Sequence, residues 1–296
     1  MNAAGGSSSD TPGTPEFLSE IIDDAAIFPP GNAPLDRAVE DYLARRPEPH
    51  GGLVGGFVVS DVKLPELVDL VAARDPLRLN LVVTGGAGAI EGAVRWATRA
   101  EGLHLEALEF ALRDEEDLAH NAQRVLAAVD ALDTELEDVD LYVEPPRVHG
   151  SPTAGWLAAL DELATREVRL KFRTGGVHAD DFPTSAELSS CIGAALDREL
   201  PFKCTAGLHH AVRQRAALPD GTEPWQHGFL NVLRATRANL DGEDTVAVLE
   251  ATDAESLLDG LDPDAMTRTR RWFTSFGSCS VLEPHDDLVE LGLVHA

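Results

Sequence analysis

Val168-Arg-Leu-Lys171-Phe-Arg-Thr-Gly-Gly176 and Leu200-Pro-Phe-Lys203-Cys-Thr-Ala-Gly207 share one plan: an apolar strand pattern, a lysine near its end and a glycine-bearing turn. Lysine is rare in this chain, with Lys63, Lys171 and Lys203 the three among 24 basic residues, so two at matched positions point to a need for an amine. A guanidinium is charged at any usable pH. A lysine amine is deprotonated by burial or by a nearby cation, and then attacks a carbonyl. The plain alternative is a strand-end lysine laying its stem along apolar surface.

Working outward, short apolar runs alternate with amphipathic segments. The strand patterns are Ile21 to Phe28, Leu53 to Ser60, Leu79 to Thr84, Leu105 to Leu112, Asp140 to Glu144, Val168 to Arg173, Pro201 to Thr205 and Phe273 to Ser280. Leu64 to Ala73 and Trp156 to Leu163 carry apolar residues at helical spacing, and Thr184-Ser-Ala-Glu187 reads as a capped helix start. Most strands start roughly 25 to 35 residues apart, one strand-plus-helix unit, and eight of them predict a (β/α)8 barrel. An open doubly wound sheet is the competitor, but no G-x-G-x-x-G turn follows the first strand, and Thr84-Gly-Gly-Ala-Gly88 is a weak substitute. The stretch between Lys203 and Phe273 is expected to hold extra helices at Gly228 to Arg237, Thr245 to Leu258 and Pro263 to Arg271. Residues 1–16, rich in Gly, Ser, Pro and Thr, are expected to form a disordered tail, and residues 17–296 the barrel.

Alternation sorts the faces of the strands. Val168, Leu170 and Phe172 point one way, suited to packing under helices, while Arg169, Lys171 and Arg173 point into the barrel. By the same rule Lys203 and Thr205 point inward and Phe202 and Cys204 outward; Glu109, Tyr142 and Glu144 are also inward. Charges of both signs thus meet at the carboxyl ends of neighbouring strands, where barrel enzymes keep their chemistry. Two adjacent lysines give a plain mechanism. One stays charged and lowers the pKa of the other, the neutral amine attacks a carbonyl, and the imine acts as an electron sink while Glu109 or Glu144 moves protons.

A formal charge of −27 argues against nucleic acid and anionic membrane surfaces as partners; a small-molecule substrate is expected, and a homo-oligomer is compatible with the chain. The acidity resembles that of proteins from a salt-rich cytoplasm, or reflects a biased genome. Cys191, Cys204 and Cys279 fit neither a disulfide framework nor a zinc knuckle and read as small buried residues in a reducing compartment. The start of the chain lacks the pattern of a secretory signal and no apolar run reaches bilayer length, so a cytoplasmic location is expected.

At motif level the last third of the chain resembles class I aldolases of the deoxyribose-phosphate aldolase type. That family carries Lys-Thr-Ser-Thr-Gly on the sixth strand, a lysine and glycine turn on the seventh, and Phe-Gly-x-Ser-Ser on the eighth. Lys171-Phe-Arg-Thr-Gly175, Lys203-Cys-Thr-Ala-Gly207 and Phe276-Gly-Ser-Cys-Ser280 are the similar segments. The resemblance implies that Lys171 forms the imine, Lys203 tunes it, and Ser278 and Ser280 lie on the phosphate side; no cofactor is implied. The departures are Phe172 and Arg173 in place of a small pair, Glu109 in place of Asp on strand four, and His209-His210 after Gly207. Lys171 to Gly176, Ala206 to His210, His227 to Val232 and Ser275 to Ser280 also resemble a group of bacterial barrel proteins without an assigned activity.

Arg173, Thr174, Gly175, Gly176, Thr205, Gly207, His209, His210, Ser278 and Ser280 are the candidate substrate-binding residues. Two rival classes remain. One is a metal-dependent isomerase or lyase using one of His209 and His210 with Glu109, Glu144, His227 or the Asp23-Asp24 pair; metal ligation is not the favoured reading. The other is a non-catalytic barrel that binds a small molecule.

Overall fold

The computed structural model describes residues 13–72, 76–113 and 116–296. Eight parallel strands close into a barrel: β1 (Ile22–Asp24), β2 (Val54–Ser60), β3 (Leu77–Val83), β4 (Leu103–Ala111), β5 (Asp140–Glu144), β6 (Arg169–Arg173), β7 (Phe202–Thr205) and β10 (Phe273–Ser278). β1 pairs with both β2 and β10, which closes the ring. The predicted barrel is thus observed, and its strands fall inside or within two residues of the expected segments. Of the expected tail, residues 1–12 lie outside the described residues; Phe17 and Leu18 are buried against the barrel's lower rim.

The helices follow from the apolar faces the strands leave outside. They are α1 (Leu35–Arg45), α2 (Leu64–Val71), α3 (Ile90–Arg99), α4 (Leu118–Asp130), α5 (Ala154–Leu163), α6 (Ser185–Leu196), α7 (Phe229–Asp241), α8 (Thr245–Glu250), α9 (Ala254–Leu258), α10 (Pro263–Thr269) and α11 (Leu282–Glu290). Phe172, Phe202 and Phe273 run around the outside of the barrel in ring contact, and Trp156 of α5 stacks on Phe172 at 6.5 Å. Phe229 of α7 stacks on Phe276 of β10 at 4.8 Å. The capping box expected at Thr184 forms, with reciprocal bonds between Thr184 and Glu187.

The segment between β7 and β10 differs from expectation in two ways. A short antiparallel hairpin, β8 (Gln214–Arg215) with β9 (Trp225–Gln226), precedes α7 and was not foreseen. The helix expected over Thr245 to Leu258 is two, because Asp253 caps a new start by accepting from the Ser256 N–H. Asn231, fully buried, holds this region together: its amide donates to the carbonyls of Val248 and Ala251 and accepts from the Arg213 N–H.

Candidate active site

Lys171 and Lys203 are register partners on adjacent strands, so their side chains enter the barrel at the same level. Glu109, on β4, lies between them. Its Oε2 accepts from Lys171 Nζ at 2.9 Å and its Oε1 from Lys203 Nζ at 2.7 Å. Lys171 also reaches Glu144 Oε2 at 2.9 Å, and Arg173 Nε donates to the other oxygen of Glu144 at 2.9 Å. Lys203 reaches Asp23 Oδ2 at 2.5 Å and lies 4.9 Å from the centre of the Tyr142 ring. The outcome is a continuous chain of alternating charge, Asp23–Lys203–Glu109–Lys171–Glu144–Arg173, running from the barrel centre to its carboxyl-end mouth.

Burial sets the electrostatics of this chain. Asp23, Glu109, Lys171 and Lys203 are each at most 4% exposed. Burial alone favours the neutral form of every group. For Lys171 the adjacent Glu109 and Glu144 outweigh burial and hold the pKa above the ordinary lysine value; Asp23 and Glu109 do the same for Lys203. Burial pushes Glu109 up, but the two ammoniums overcome it and bring its pKa down to about 2. Glu144 is lowered too, by Lys171 and Arg173 against burial. Both lysines are therefore ammoniums in this arrangement. The expectation that Lys203 depresses the pKa of Lys171 is not met, because a carboxylate stands between the two cations and screens one from the other.

Asp23 enters the sequence analysis only within the rival metal site. It is a buried member of the ion chain, held by the Ser275 hydroxyl (2.7 Å) and the Gly56 N–H (3.3 Å). Its neighbour Asp24 turns outward to Arg45 of α1, and burial raises its pKa. Neither faces water. Tyr142, also inside, shares a hydrogen bond with Thr274 at 2.9 Å and accepts from Arg169 at 3.1 Å, sealing the barrel below Lys203.

Above the ion chain opens a cavity of about 1000 Å³. Glu109, Glu144, Lys171 and Lys203 form its floor, and Arg173 and Arg113 stand on its walls. Of the candidate substrate-binding residues, Arg173, Gly175, Gly176, Thr205, Gly207, His209, His210 and Ser280 line it. Thr174 and Ser278 do not. The Thr174 hydroxyl donates to the Ala206 carbonyl at 2.6 Å, tying the β6 turn to the β7 turn. The Ser278 hydroxyl donates to the Ser280 carbonyl at 2.7 Å, inside its own turn. The matched glycines also have a steric reason. A Cβ on Gly175 would lie 2.7 Å from the Cα of Gly207, which itself has φ of +74°.

The two histidines behave as a pair bound by one helix. His209 Nδ1 lies 3.1 Å from Glu283 and His210 Nδ1 lies 3.1 Å from Asp287, the carboxylates being one turn apart on α11. His227 is elsewhere, buried, with Nε2 at 2.9 Å from the Pro183 carbonyl. The metal grouping of these histidines with Glu109 and Glu144 is therefore not assembled. Among the described residues, no set of three or more His, Cys, Asp or Glu side chains is arranged to hold a metal ion. Cys191 and Cys204 are buried as expected, but Cys279 is partly exposed and lines the cavity. No helix among the described residues is long and apolar enough to cross a membrane.

No family model matches the chain, and no curated protein matches it. Among solved structures, one described as "QR15, an Aldolase" superposes with a TM-score of 0.52 at 12% identity, over 94% of this chain and 99% of that chain. At that identity the likeness is one of fold alone: the barrel of this chain is similar to that of the solved structure over the matched residues.

Proposed function

We propose that the protein is a lysine-dependent carbon–carbon lyase of aldolase type, acting on a small carbonyl compound through an imine at Lys171. The observation that carries this reading is the floor of the cavity: each lysine lies between two carboxylates, but the outer partner of Lys171 is Glu144, which lines the cavity, whereas that of Lys203 is the buried Asp23, with the Tyr142 ring alongside. Lys203 is the fixed cation and Lys171 the amine that can change partners. The likeness in fold to an aldolase supports the same reading.

The chemistry balances within these residues. Lys171 passes a proton to Glu144, whose side chain is more open to the cavity than that of Glu109. The free amine adds to the substrate carbonyl. Loss of water, using the proton held on Glu144, leaves a protonated imine. An ammonium and a carbonyl have become an iminium and water, so the charge beside Glu109 and Glu144 is unchanged. The carbon–carbon bond one position further then breaks, its electrons flowing to the iminium to give an enamine. Glu144 takes the hydroxyl proton of the fragment that leaves as an aldehyde. Arg173 and Arg113, on the cavity wall, favour a substrate carrying an anionic group.

The raised pKa of both lysines favours a second reading, in which the ammoniums stay charged and simply hold an anionic ligand in a non-catalytic barrel. One experiment divides the two. The protein is incubated with a panel of sugar phosphates and keto acids, reduced with borohydride and weighed. The imine reading expects a covalent adduct on Lys171 that is absent from Lys171→Arg. Saturable binding of an anion without any adduct would establish the binding barrel instead.

A further inference from the structure

Cys279 immediately follows β10, at the rim of the cavity whose floor holds the lysines. Its sulfur lies 3.9 Å from His209 Nε2, and His209 Nδ1 lies 3.1 Å from Glu283 Oε2. A carboxylate only accepts, so Nδ1 carries the ring proton and Nε2 presents its lone pair to the thiol. Three chain segments converge to make this arrangement: the turn after β7, the turn after β10 and the first turn of α11. All three residues line the cavity. Close approach of the β1 loop completes it, since a Cβ on Gly31 would lie 2.9 Å from the Cβ of Cys279.

We propose that Cys279, His209 and Glu283 form a second nucleophilic site in this cavity, in which the thiol adds reversibly to a small aldehyde. A nucleophile, a base in line with it and an acid that orients the base are what such an addition needs, and long sulfur–nitrogen separations are usual before a ligand enters. The Sγ–C bond forms as the carbonyl π bond opens. The thiol proton passes to His209 Nε2 and from there to the new alkoxide oxygen, while Glu283 stabilises the imidazolium. Nothing is oxidised or reduced and no co-reactant is needed. Burial holds the Cys279 thiol above its ordinary pKa, so the sulfur is protonated at rest and depends on the histidine to react. The choice of an aldehyde rests on the lyase reading, in which the leaving fragment is one; the thiol site itself does not.

The test uses the full chain and two probes. Iodoacetamide labelling, read by peptide mass, is expected to modify Cys279 and to slow by about a hundredfold in His209→Asn and His209→Gln, the scale of one general base. Glu283→Gln should slow it less. Labelling that is indifferent to both histidine variants, with circular dichroism showing them folded, overturns the proposal. With carbon-13 glycolaldehyde, a hemithioacetal resonance is expected that disappears in Cys279→Ser and persists in Lys171→Arg. Its absence, or its survival in Cys279→Ser, overturns the aldehyde assignment. Because Lys171→Arg removes the imine but not the thiol, failure of the lyase reading and failure of this one give different spectra.

Discussion

The barrel interior has two unlike walls. On the β2–β3 side Val58 and Val82 reach the cavity with Gly56 and Asn80 on the same face beneath them, and the charge on that face, Arg78, stands at the start of β3, paired with Glu20 and Glu106 away from the cavity. On the β4–β7 side the inward positions are Glu109, Tyr142, Glu144, Arg169, Lys171, Arg173 and Lys203. Both walls come from the same alternation, so the difference is chemical rather than architectural. Charged residues buried this deeply survive only as a compensated set, since each alone would cost several kcal/mol. The valine wall asks for no such compensation. The cavity thus offers ions along one flank and hydrocarbon along the other, and under the proposed lyase reading that difference would turn a carbonyl group toward the lysines and a carbon skeleton away from them.

The largest effect is expected where the charged wall is cut at its centre. Glu109→Gln leaves two ammoniums facing each other without their shared carboxylate, and should cost about 3–5 kcal/mol of stability. Urea denaturation measures it; a loss below about 1 kcal/mol would show that the bridge behaves like a surface pair. Glu144→Gln tests the proton carrier. Adduct formation at Lys171 should slow by roughly 10²–10⁴-fold, the range for one general acid–base group. An unchanged rate would move the role to Glu109.

The same wall gives an acid signature. Glu109 has a pKa of about 2 in the folded protein, against an ordinary 4.5, so its contribution to stability is complete above about 4.5 and is lost as pH falls toward 2. The lysines, whose folded values are raised, work the other way: their contribution holds up to the ordinary lysine value and fades only above it. The urea midpoint is expected to fall between pH 5 and pH 3 in the wild type, and to fall less in Glu109→Gln. Equal slopes would show that other carboxylates govern the acid limb.

How much of this was legible depends on whether a residue's surroundings are local in sequence. Arg169, Lys171 and Arg173 occupy a full five-residue strand, and alternation alone gives their face. Alternation also places Glu109 inside the barrel with the lysines, but its seat between them, bonded to both, joins strands that are not neighbours. Asp23 was harder because β1 has only three residues, all buried, so no alternation marks its inner face. The His209–Glu283 and His210–Asp287 contacts join segments more than 70 residues apart in sequence, beyond any local pattern. The β8–β9 hairpin was missed because strands of two residues carry no period. The depressed lysine pKa failed for a related reason: proximity of two cations was readable, but not the carboxylate inserted between them.

The smallest expected effect belongs to the valine wall and completes the comparison. Val82→Ala removes two carbons from a half-buried position beside the cavity, which costs about 1 kcal/mol of stability. If that wall holds the carbon skeleton while the opposite wall does the chemistry, the two substitutions should separate kinetically. In Val82→Ala the half-saturating concentration of a carbonyl probe that labels Lys171 should rise by about fivefold, the equivalent of about 1 kcal/mol of lost apolar contact. The maximal labelling rate should stay the same. In Glu144→Gln the pattern inverts, with the rate falling and half-saturation little changed, because that carboxylate moves protons rather than packing against carbon. A fall in maximal rate for Val82→Ala equal to its change in half-saturation would mean that the valines position the carbonyl itself. The division of the barrel into a binding wall and a reacting wall would then be wrong.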